Sequence, residues 1–152
     1  MFSKTVKYKD FYDVEVEDVV WFGLSKTELQ VMEAGDADRG IQPDPWTTRM
    51  SRISNSKNVG AIIHEVQQLM LLAYGVPSED GRTFEKNEEL RNKFKNSIVF
   101  DVIFQEFATD TDALVKFVIG ILPKDLREEF EESMRKQKQT PTPPRIGGSD
   151  PS

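Results

Sequence analysis

The chain has 152 residues, a net charge of −6 and no cysteine, with 38% hydrophobic and 30% charged residues. That length suffices for one domain with a real core, and the composition describes a polar globule. It excludes disulfides, thiolate chemistry and the common zinc sites, and it makes the cytosol the natural compartment. No stretch approaches a membrane span, and the first residues lack the apolar run of a signal peptide. Lys and Arg are scattered among Asp and Glu, so the basic face expected of a nucleic-acid binder is missing.

The chain opens with alternation. Phe2, Val6 and Tyr8 fall on one side, and Val14, Val16, Val20 and Phe22 on one side of the next run. Asp10 to Asp13 separates them, which predicts a β-hairpin over 2–22 with Lys7 and Lys9 near Glu15 and Glu17. Ser25 and Glu28 have capping-box spacing, and a helix over 26–34 follows, ending near Gly35. Gly35 to Trp46 reads as a loop. Its Asp36-x-Asp38 pair fails the calcium-loop pattern because Gly40 and Ile41 stand where ligands and the turn glycine belong. Trp46 reads as a local packing anchor, and Thr47 to Ile53 as a short helical candidate.

From Val59, apolar residues at 59, 62, 63, 66, 69, 70 and 73 fit an amphipathic helix over 58–74, with Gly75 as a left-handed cap. Asp80-Gly81 marks a tight turn. Asn87 is placed to cap a helix over 87–96 that turns Leu90 and Phe94 inward. The most apolar stretch is Ile98 to Leu122. Its first part, 98–108, has almost no polar face and calls for enclosure on most sides. Thr109 to Thr111 breaks it and caps a second helix over 111–122, which carries Leu114, Phe117, Val118, Ile121 and Leu122 and stops at Pro123. Leu126, Phe130 and Met134 then form one narrow stripe on a charged helix over 124–137. Residues 139–152, rich in Pro and Gly, are expected to be a disordered tail. The fold class is α+β, mainly α: one domain over 1–138, with the hairpin packed on a bundle of about five helices.

Catalytic constellations are absent from the pattern. His64 is the only histidine; it reads as a partly buried helix residue, because a base needs an oriented partner set. Asp110 and Asp112 are explained by helix capping. No phosphate loop or nucleophile elbow occurs. The residues point to a non-enzymatic binding protein with no cofactor and no metal.

A resemblance adds to this. The start Met-Phe-Ser-Lys-Thr-Val-Lys-Tyr-Lys-Asp-Phe and the run Trp21-Phe22-Gly23-Leu24-Ser25-Lys26-Thr27-Glu28-Leu29 resemble tail assembly chaperones of long-tailed bacteriophages. So do Ala73-Tyr74-Gly75, Asp80-Gly81-Arg82-Thr83-Phe84, Phe107-Ala108-Thr109-Asp110 and Phe117 to Pro123, in that order, over Met1 to about Phe130. The chain departs from the pattern at Tyr12-Asp13, where relatives often carry Asn-Gly, in the loop Gly35 to Trp46, and after Met134.

The resemblance implies a protein of the infected host's cytoplasm that coats the tape measure protein while the tail tube polymerises and is absent from the virion. It also implies a longer frameshift product that recruits tube subunits; codons for Pro143-Pro144 or Gly147-Gly148 are candidate slippery runs. The alternative is a structural tail or head–tail connector subunit retained in the particle. The expected partner-binding residues are Val59, Ile62, Ile63 and Val66 on one helix and Leu126, Phe130 and Met134 on another. The competing expectation is that these faces are entirely core. Homo-oligomers through the hairpin edge or the apolar helix faces are a further expectation. Membranes and nucleic acid are not expected partners.

Overall fold

The computed structural model describes residues 1–139, less the side chains of 133, 134 and 137–139. Strands β1 (Phe2–Lys9) and β2 (Glu15–Phe22) form the expected antiparallel hairpin, in register from Phe2↔Phe22 to Lys9↔Glu15. Lys7 therefore faces Glu17, with Nζ and carboxylate 3.7 Å apart. Asp10 organises the turn. Its carboxylate accepts from the N–H groups of Tyr12 (2.8 Å) and Val14 (3.0 Å), and its own N–H donates to the Val14 carbonyl. Asp13 takes the left-handed conformation, φ 62°, which Asp tolerates better than most residues. Val6, Val20 and Phe22 face the core.

Helix α1 (Lys26–Ala34) starts on a complete capping box. Ser25 Oγ accepts from Glu28 N–H, and the Glu28 carboxylate accepts from Ser25 N–H. It ends at Gly35, φ 62°. The following loop holds one 3₁₀ turn at Ala37–Arg39 and leads to helix α2 (Trp46–Asn55), longer than the 47–53 segment expected. Asn58 caps helix α3 (Val59–Ala73).

The sequence expectation fails at the end of α3. Gly75 is no left-handed cap. The helix stops at Ala73, and Tyr74–Pro77 continues as an extended strand, β3, pairing Tyr74 with Phe22 and Gly75 with Trp21. Glycine is required at 75 for space: a Cβ there would lie 2.6 Å from the Phe84 ring and 2.9 Å from the Glu85 carbonyl oxygen. The Asp80-Gly81 turn is present, with Gly81 at φ 73°, and it returns the chain into the short strand β4 (Phe84–Glu85). The hairpin thus becomes part of an antiparallel four-stranded sheet, ordered β1-β2-β3-β4.

Helices α4 (Glu88–Lys95), α5 (Ile98–Thr109), α6 (Thr111–Gly120) and α7 (Lys124–Gln139) complete the described residues, making seven α-helices among them, at the six expected ranges and the 47–53 candidate. Asn87, Ser97 and Asp110 cap α4, α5 and α6 through their side chains. α7 runs to Gln139, past the expected end at 137 and into the first residue of the expected 139–152 tail, and the rest of that tail, 140–152, lies outside the described residues.

The core is aromatic at its centre. Phe22, fully buried, meets Phe2, Tyr74, Phe94 and Phe117, with ring centroids between 5.1 and 6.3 Å. Tyr74 stacks on Phe94 at 4.1 Å and Phe107 on Phe117 at 4.6 Å. α5 buries Val99, Phe100, Ile103 and Phe107, but Asp101, Val102 and Gln105 face outward. Its enclosure is one-sided, contrary to the expectation drawn from its composition.

Candidate functional site

α6 ends at Gly120, short of the expected stop at Pro123, and the chain then turns into α7, whose apolar residues Leu126 and Phe130 are half-buried. A salt bridge of 2.6 Å between Lys26 and Asp125 ties the first turn of α7 to the first turn of α1. Between α1, the start of α2, the end of α6 and α7 lies a hollow of about 290 Å³. Leu29, Trp46, Leu122, Leu126 and Phe130 line it, with Glu33, Thr47 and Glu129.

A second hollow, of about 500 Å³, opens between α2, α3, α6 and α7. Met50 and Ile53 of α2, Ile62 of α3, and Leu114, Val115, Val118 and Ile119 of α6 line it, again with Phe130. Phe130 lines both hollows, so they adjoin at its side chain, and together they make up the trough of the helical side of the molecule. A separate hollow of about 570 Å³ along the hairpin is lined by Lys7, Lys9, Glu15 and Glu17 with Tyr8 and Val16, and lacks a continuous apolar floor.

The residues expected to bind a partner separate into groups. Ile62 and Phe130, 68 positions apart in the sequence, meet at the larger hollow, and Leu126 lines the smaller one. Val66 is core, 5% exposed. Val59 and Ile63 are exposed on α3 but line neither hollow. The Met134 side chain lies outside the described residues. His64 sits on the exposed side of α3, not partly buried as expected. Sequence reasoning missed the contribution of α2. Trp46, Met50 and Ile53 recur at i, i+4 and i+7, the signal of one helical face, but the helical candidate over 47–53 leaves Trp46 in the preceding loop and so hides that face.

α2 buries no residue fully, so it needs another hold on the body. Four charged side chains supply it. Arg49 Nη2 donates to Asp44 at 2.8 Å, and Arg52 donates to Asp44 at 2.8 and 3.0 Å and to Glu65 of α3 at 2.7 Å. Arg49 Nη1 lies 2.9 Å from the other Glu65 oxygen, an ion pair bent too far for a hydrogen bond. Burial pushes the Asp44 carboxyl up, but the hydrogen bonds from Arg52 and Arg49 outweigh it and hold it below its ordinary 3.8. The bonds to Glu65 and Asp44 raise Arg52 further, so its charge is permanent. The clamp fixes α2 as one wall of the trough.

The arrangement offers packing surface. Among the described residues no group of three or more His, Asp or Glu side chains could hold a metal ion, and no helix is long and apolar enough to cross a membrane. Searches of curated proteins and of solved structures each found no significant match. A family model described as phage tail assembly chaperone matches residues 1–146. With nearly the whole chain matched, this protein belongs to the phage tail assembly chaperone family.

Proposed function

We propose that this chaperone binds apolar helical segments of the tape measure protein in the trough between α2, α3, α6 and α7 and keeps that client soluble until tube subunits enclose it. The observation that carries the reading is the meeting of Ile62 and Phe130 across an open apolar hollow of about 500 Å³. A groove of this kind suits an amphipathic helix laid in by its apolar face. Val115, 36% exposed on the same wall, is apolar surface with no evident task inside the fold.

Co-expression with the tape measure gene of the same genome, followed by pull-down and a solubility assay, tests it. Phe130→Glu and Val115→Glu are expected to abolish capture. Val115 is the more exposed of the two, so its variant keeps the test open if Phe130→Glu does not fold. Capture that persists in a folded Val115→Glu or Phe130→Glu variant removes the trough from the function.

The same reading places the protein in the host cytoplasm and outside the finished particle. Mass spectrometry of purified virions distinguishes it from a retained connector subunit. Recruitment of tube subunits by a frameshift-extended product belongs to this proposal too. An interrupted codon run at Pro143-Pro144 and Gly147-Gly148 with no overlapping downstream frame would defeat it.

A further inference from the structure

We infer that the trough is selective for charge as well as for apolarity at its α1 end, in the smaller hollow, and takes a helix whose apolar stripe is bordered there on both sides by Lys or Arg. This rests on the trough being the client site. The smaller hollow at its α1 end is lined by two carboxylates and no cation, Glu33 from α1 and Glu129 from α7, whereas no charged residue lines the larger hollow. Both are exposed, and neither forms an ion pair among the described residues. The cations of α1 and α2 are already engaged. Arg49 and Arg52 are held by Asp44 and Glu65, and Lys26 by Asp125.

An occupant therefore meets two unneutralised negative charges, contributed by different helices, beside Leu126 and Phe130. Basic residues along both borders of its stripe reach them. An acidic border is repelled. The same charges disfavour a second copy of this chain as occupant, since its own net charge is −6. Such contacts at a groove mouth set partner choice more than affinity, and salt screens them.

The test uses the full chain and two synthetic amphipathic peptides with one apolar stripe, bordered by Lys in one and by Glu in the other. Binding is read by calorimetry at low and at high salt. The Lys-bordered peptide is expected to bind about tenfold more tightly at low salt, with the gap shrinking at high salt. The double variant Glu33→Lys, Glu129→Lys, at two exposed positions, is expected to reverse the preference without altering the melting temperature. Equal affinities, or an unchanged preference in the double variant, overturn the inference and leave the trough as client site intact. If neither peptide binds while tape-measure capture is still lost in Val115→Glu, the inference fails and the trough survives. If capture does not depend on Val115 or Phe130, both fail together.

Discussion

Phe22 shows how much one side chain can carry. It ends β2, pairs with Phe2 and Tyr74 on the strands either side, and touches Phe94 and Phe117 from two helices. Phe22→Ala is expected to cost about 3–5 kcal/mol in denaturant unfolding, because no neighbouring ring can close the hole without leaving its own partner. Gly75 is constrained in the opposite sense. Gly75→Ala would press a methyl group on the Phe84 ring and on backbone, and the expected loss is about 1–3 kcal/mol by the same measurement. Lys86 is a tie of a third kind. Its Nζ donates to the Glu28 carboxylate and to the carbonyls of Gly23 and Leu72, joining the chain after β4 to the α1 cap and the last turn of α3. Burial pulls its pKa below 10.5 even though Glu28 opposes the shift.

α1, α3, α4, α5 and α6 begin where short polar side chains meet free N–H groups. Asp110 Oδ1 accepts from Ala113 N–H at 3.2 Å, and its carboxylate sits at the positive end of α6. Asp110→Ala is expected to destabilise the fold by about 1 kcal/mol in thermal or denaturant unfolding, and Asp112→Ala by less, since Asp112 makes no capping bond. α2 depends on charge instead. Asp44 ionises below 3.8 in the folded chain, so the unfolded chain binds the proton more readily. The clamp's contribution is therefore complete above pH 3.8 and fades as pH falls through the folded-state value. Hydrogen exchange of α2 amides is expected to rise across that acid range, and Asp44→Asn to weaken α2 at neutral pH while flattening the dependence. An unchanged pH profile in Asp44→Asn would remove Asp44 from the clamp.

At the scale of the whole molecule, the sheet and the trough lie apart. The hairpin leaves Phe11 and Tyr12 more than four-fifths exposed at its tip, with Val19 on the outer face of the sheet. Self-association through the hairpin edge remains a proposal, and light scattering across a concentration series checks it. A chaperone that binds its client through the trough and self-associates through the hairpin would keep its oligomeric state in Val115→Glu. One that uses a single surface for both would lose both properties in that variant.

What the sequence determined by itself was local. Ser25 with Glu28, Asn58, Asn87 and Asp110 act within one helical turn, so their spacing alone placed the helix starts. The alternation in 2–22 set the hairpin because the two strands are neighbours in the chain. The order of short motifs was enough to point to the family. Only the tertiary structure decided the rest. Tyr74–Pro77 becomes a strand because β2 offers it an open edge more than fifty residues back in the chain, and a hydrogen-bonding edge leaves no mark on the sequence it recruits. Val66 and Ile63 share an apolar pattern, yet one is core and the other surface, since periodicity gives a face but not what covers it. The trough exists only where α1, α2, α3, α6 and α7 converge, and no stretch of the chain contains it.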